Sequence, residues 1–168
     1  KQYKKIQIIY FFDSFPKGSI EIDNDSLNVN YRCIEPICTL SNKFFPDLPG
    51  VKSGNTNTTE HDGVFFVKEA DIENYLKTYT PLQLRDSRRT NVNEGHPVMN
   101  FGESKGLSFD RVLIYPTKPF LEWLSKGKEL APTSRSKLYV ALTRARQSVG
   151  IIYNYKDNET VEGVQKYQ

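Results

Sequence analysis

The chain has 168 residues and carries 23 Lys and Arg against 20 Asp and Glu, a formal net charge of +3. That length can bury the core of one domain, and ten Tyr, ten Phe and one Trp exclude disorder of the whole chain. No apolar run reaches the length of a bilayer span and no leader-like stretch follows the opening KQYKK, so no membrane role is expected, and two cysteines, too few for a disulfide framework, read as reduced thiols of an intracellular, cytoplasmic protein.

The opening stretch, KKIQIIYFFDSF, reads as an aromatic helix that docks on something, and PKGS breaks it. Residues 20–32 alternate apolar and polar side chains, which predicts a strand. In EPICTLSNKFF, Pro36 suits a first helical turn, and Ile37, Leu40 and Phe44 recur at helical spacing. Residues 50–62 are rich in Gly, Asn and Thr and read as a loop. GVFFV is a short buried strand, EADIENYLKTY a helix, PLQLR a further strand and DSRRTNVNEGH a polar loop. PVMNF and RVLIYP read as strands on either side of GESKGLSFD. KPFLEWLSKG is a helix ending at Gly127, TSRSKLYVALTRAR the next helix, and SVGIIYNY the last strand. From Lys156 the chain is a polar tail, residues 156–168, expected to fray. Short apolar strands alternating with helices predict an α/β fold with a mostly parallel sheet covered on both faces. Ligands of such sheets sit at the carboxyl ends of the strands, which directs attention to the loops after PVMNF and around NYR.

Three stretches carry chemistry. Leu138, Ala141, Leu142 and Ala145 form one apolar stripe of the helix that ends in TRAR, with Arg144 and Arg146 on opposite flanks of it. The two arginines therefore cannot serve one site from that helix. An arginine suits a phosphate because its planar fork donates two parallel hydrogen bonds and keeps its charge. In NYR, Tyr31 offers a stacking face and Arg32 a second guanidinium. In NFGESKGLSFD, Gly102 and Gly106 bracket a turn that lets backbone approach a ligand, and Lys105 adds a charge. Taken alone, each stretch reads first as something ordinary: two solvated arginines at a helix end, a surface Arg beside a half-buried Tyr, and a plain loop. The remaining candidates read blandly: His61 and His96 as loop histidines without metal-binding companions, Arg85, Arg88 and Arg89 as a solvated basic loop, Trp123 as a core anchor, and Cys33 and Cys38 as reduced thiols on or near one helix.

In this order, however, NYR, SKGLSFDRV and YVALTRAR resemble motifs IV, V and VI of superfamily 1 DNA helicases of the UvrD/Rep type, over roughly residues 27–153. The resemblance implies a RecA-like three-layer α/β/α domain over residues 18–155, the second of two that clamp ATP and Mg²⁺ between them. Residues 1–17 would then lead in from the missing N-terminal RecA-like domain. It implies that Arg144 and Arg32 reach the γ-phosphate. Tyr31, Lys105, Gly106 and Ser108 would lie at the nucleotide, and Asn100, Gly102 and Ser104 at single-stranded DNA. The activity implied is ATP-dependent helicase or translocase action, 3′→5′. The chain holds no GxxxxGK[ST] loop and no counterpart of the metal-binding acids, so these would come from the N-terminal domain and this piece alone would be inactive. Ser108 replaces a Glu of motif V and Gly102 a His, and Asn100 stands where a Thr is usual. Ser108 and Gly102 give weight to a non-motor binding module for nucleic acid or protein with a decayed ATP site, against which Arg32 and Arg144 count; a translocase that senses nucleic acid without processive unwinding is a third reading.

Overall fold

The computed structural model describes residues 11, 12, 14–16, 18–21 and 26–168. Most of the opening aromatic helix, and with it most of the lead-in segment 1–17, lies outside the described residues.

Six parallel strands form the sheet. They are β3 (Gly63–Val67), β4 (Leu82–Arg85), β5 (Val98–Asn100), β6 (Phe109–Tyr115), β7 (Ala145–Ile152) and β8 (Gln165–Lys166), in the order β5-β4-β6-β7-β3-β8. Two further short strands, β1 (Val29–Asn30) and β2 (Lys52–Ser53), pair separately. Among the described residues from 26 onward the α-helices are α1 (Glu35–Asn42), α2 (Ile72–Tyr79), α3 (Lys118–Lys126) and α4 (Pro132–Leu142). Proline in the first turn starts α1, α3 and α4, and Gly127, in a left-handed conformation at φ 66°, ends α3.

Alternate residues of the central strands face opposite ways, as a pleated sheet demands. Val64, Phe66, Val112, Ile114, Val149 and Ile151 join the larger core with Ile37, Leu40, Phe120 and Leu138 of α1, α3 and α4. Val67, Leu113, Tyr115 and Ile152 face the smaller core with Tyr75 and Leu76 of α2. The result is the three-layer α/β/α arrangement, with α1, α3 and α4 on one face and α2 on the other. Gly150 makes the thin face possible: a Cβ there would stand 2.9 Å from Leu113 and 3.0 Å from the Tyr75 ring.

Three expectations are corrected. The strand expected over residues 20–32 is confined, among described residues, to Val29–Asn30, because Arg32 and Cys33 turn their amides onto the Asn30 side chain. The helix expected to run through Arg146 stops at Leu142; Phe109 N donates to Arg144 O at 2.9 Å and Ala145 enters the ladder beside Phe109, so the sheet captures the backbone there. The polar tail is not left to fray: β8 pairs with β3, and Tyr155 Oη donates to Tyr167 O at 2.8 Å.

Candidate functional site

Cutting α4 short moves both arginines off the helix. Thr143 is the cap, Arg144 lies in the turn, and Arg146 is the second residue of β7. The helical-wheel separation of the two therefore does not apply. Arg144 is 9% exposed. Its Nε donates to Val140 O at 2.9 Å, one terminal nitrogen to Leu107 O at 3.1 Å, and the other to Thr143 Oγ1 at 3.4 Å. Arg32 approaches the same residue from the other side and donates to Thr143 O at 3.3 Å. Burial, and after it the nearby Arg32 charge, pulls the Arg144 pKa below its usual value. Among the described residues neither Arg32 nor Arg144 has a salt bridge. Two guanidinium groups thus share one locale with carbonyls but no carboxylate, an arrangement that attracts an anion.

Arg32 lines an open cleft of about 610 Å³ with Tyr31, Asn30, Val51, Ser108 and Arg146. Tyr31 is 80% exposed, so its ring is free to stack. A second cleft, about 450 Å³, adjoins it through Ser108 and Arg146 and includes Thr80, Pro97, Asp110 and Arg111. Arg146 pairs with Asp110 at 3.0 Å on the shared rim. Phe109, Ala145, Leu82 and Val98 begin their strands. Both clefts therefore lie at the amino ends of the sheet, not at the carboxyl ends to which the general rule for such folds points.

The NFGESKGLSF stretch is divided between the two ends. Ser108 belongs to the Tyr31–Arg32 cleft, and Leu107 reaches Arg144 through its carbonyl. Gly102 and Lys105 line a separate cleft of about 850 Å³ with Phe45, Phe101, Arg135 and Lys137. Lys105 and Ser108, expected side by side at one ligand, thus open onto different clefts. Gly106, at φ 88°, is the left-handed residue that lets the chain turn between them. Ser104, expected at a phosphate, is fully buried and donates its hydroxyl to Phe101 O at 2.8 Å, so it holds the turn. Asn100 likewise spends its amide within the turn, donating to Glu103 at 3.1 Å and accepting from Arg85 at 3.3 Å.

His61 is not a solvated loop residue. It is 6% exposed, stacked between Phe65 and Tyr79 at 3.9 and 3.8 Å, with Nε2 2.9 Å from Tyr75 Oη. Burial, and then the Arg111 charge, lowers its pKa to about 4. The loop composition hid this, because no periodicity marks a residue that precedes its strand. Trp123 stacks on Phe44 at 4.5 Å, as a core anchor does. Cys33 and Cys38 are free and buried; burial first, then Cys33 and Glu35, pushes the Cys38 thiol up to about 12. Arg85 and Arg88 are engaged by Asn100, Thr90 and Glu103.

Among the described residues no three His, Cys, Asp or Glu side chains gather as a metal would require. The carboxylate on the cleft rim, Asp110, is held by Arg146. The donor set therefore fits a phosphate-bearing ligand and does not fit Mg²⁺. Among the described residues no helix is long and apolar enough to cross a membrane.

A family model describing the viral superfamily 1 RNA helicase core domain matches residues 15–153. No curated protein matches the sequence. Among solved structures, the helicase of PRRSV aligns over 79% of this chain and 24% of its own, at 21% identity and a TM-score of 0.50. Arterivirus nonstructural protein 10, a helicase, aligns over 78% and 26%, at 19% identity and a TM-score of 0.50. The C-terminal domain of a possible DNA helicase from a Lactobacillus aligns over 83% and 99%, at 11% identity and a TM-score of 0.48. The chain spans about a quarter of the length of the viral helicases it matches. At these identities the likeness to the two viral helicases shows the fold alone, a RecA-like α/β domain.

Proposed function

The chain belongs to the viral superfamily 1 RNA helicase core domain family, and from that premise we propose that it is the second RecA-like domain of an ATP-dependent helicase. In this reading ATP, bound with Mg²⁺ on an N-terminal RecA-like domain, meets the amino-end cleft. ATP supplies a transferable γ-phosphoryl group; this chain supplies cations to it. Charge builds on the equatorial phosphate oxygens as the bond breaks, and fixed guanidinium groups stabilise that charge. Arg144 and Arg32 have this role, Tyr31 stacks beside the nucleotide, and Ser108 lines its cleft. Lys105 and Gly102 face single-stranded nucleic acid from the other end of the sheet.

The observation that carries the reading is the meeting of Arg32 and Arg144 at Thr143 with no carboxylate between them. Arg144 is now spent on the carbonyls of Leu107 and Val140. Reaching a phosphate means exchanging at least one of them. That exchange links the state of the nucleotide to the turn that carries Lys105.

Nucleic-acid-stimulated ATPase activity of the whole protein, wild type beside Arg144→Ala, tests the reading. Stimulation in the wild type and its loss in the variant are expected. No stimulation in the wild type would leave a non-motor binding module. The UvrD/Rep resemblance favours DNA and 3′→5′ movement, whereas the family match favours RNA. Stimulation by DNA against RNA strands, and displacement of duplexes with 3′ or 5′ overhangs, separates these.

A further inference from the structure

The polar loop before β3 has no part in the reading above, yet three of its residues hold the turn that carries Tyr31 and Arg32. β1 and β2 extend their pairing through Gly54 N, which donates to Asn30 O at 2.9 Å. Asn30 Oδ1 accepts from the amides of Arg32 at 2.9 Å and Cys33 at 3.0 Å. The Ser53 hydroxyl donates to Cys33 O at 2.8 Å, and Asn55 Nδ2 to Arg32 O at 2.7 Å. The same Asn55 nitrogen lies 3.4 Å from Arg146 O, a carbonyl that also accepts from Ile34 N at 3.0 Å. Asn55 therefore clips the Arg32 turn onto β7.

Gly54 acts on the ring. A Cβ at Gly54 would stand 2.7 and 2.8 Å from two Tyr31 ring carbons and 2.8 Å from Val29. The Tyr31 ring rests on bare backbone, and any side chain at 54 would displace it.

We propose that Gly54 and Asn55 are positioning residues of the nucleotide site, Gly54 seating the Tyr31 ring as a stacking face and Asn55 fixing the Arg32 turn to β7. The proposal rests on the assignment of Tyr31 and Arg32 to ATP. Each residue acts through another, so each effect must vanish when its client is removed.

The test is ATP turnover by the whole protein at saturating nucleic acid. Gly54→Ala is expected to raise KM for ATP about 10-fold with kcat changed less than about 2-fold, the loss of one stacking contact. In a Tyr31→Ala background it is expected to add less than about 2-fold. Asn55→Ala is expected to lower kcat about 10-fold, and to add less than about 2-fold to Arg32→Ala. If Tyr31→Ala and Arg32→Ala are defective and the second substitutions add their full effect, the positioning roles are overturned and the nucleotide reading stands. If Tyr31→Ala keeps its KM and Arg32→Ala its kcat, the nucleotide reading falls and takes the proposal with it. Should one single variant fail to fold, the other arm decides.

Discussion

The two ends of the sheet treat their polar side chains differently. At the carboxyl end the groups satisfy one another: Asn100 bonds Glu103 and Arg85, Arg88 lies 3.4 Å from Glu103, Lys137 lies 2.9 Å from Asp86, and Ser104 closes its own turn. At the amino end Arg32 and Arg144 rest on carbonyl oxygens, which orient a guanidinium without neutralising it. Closed networks hold shape, whereas cations without counter-charges keep an attraction for anions. The closed network after β4 and β5 is therefore suited to hold its turn, and the Arg32–Arg144 pair to receive a phosphate.

The sharpest way to break this contrast is at Arg144. Arg144→Ala is expected to lower nucleic-acid-stimulated ATP turnover about 10³-fold or more while ATP binding is largely kept, and Arg32→Ala to lower it about 10²-fold. Near-normal turnover in Arg144→Ala would remove the distinction between the ends.

The His61 sandwich sharpens the contrast through pH. Tyr79, stacked on His61, lines the second amino-end cleft. The folded pKa is about 4, below the ordinary value of 6.5. As pH falls from 6.5 towards 4 the unfolded chain takes up a proton that the folded chain refuses. Stability is lost across that window, by on the order of 3 kcal/mol, and the loss levels off below the folded pKa. Urea unfolding between pH 4 and 7 should show this slope in the wild type and a flatter one in His61→Phe. Equal slopes would place the acid sensitivity elsewhere.

At the other end, Lys105→Ala should weaken single-stranded nucleic acid binding a few-fold and lower the salt slope by about one, with little change in ATP affinity. A loss of ATP affinity instead would return Lys105 to the nucleotide. The smallest effect belongs to Asp110→Ala. Its ion pair with Arg146 is exposed, with the two side chains 48% and 65% accessible, so thermal unfolding should report a cost of less than about 1 kcal/mol.

Much of this protein could be read from local pattern. GVFFV, PLQLR and RVLIYP are apolar runs with breakers at their ends, and they became β3, β4 and β6. Ile37 and Leu40 showed a helical face that is buried, whereas Phe44, equally buried, lies beyond the end of α1 at Asn42. The NYR, SKGL and LTRAR stretches pointed to the helicase superfamily, because particular residue types in a particular order can be read from short strings. These features depend on neighbours in the chain, and the sequence by itself determined them.

What depends on distant partners was not legible. Nothing local shows that α4 ends at Leu142; hydrogen bonds from β6 and the sheet ladder outcompete another helical turn. Nothing local shows that the polar tail adds an edge strand to β3, since its pattern is too weak without a partner. Gly54 and Asn55 look like loop filler until Tyr31 and Arg32 are set against them. The division of one motif between two ends of the sheet was likewise decided by tertiary structure. A six-stranded parallel sheet separates its two ends by the length of its strands, and only the folded backbone shows which side chains open at which end.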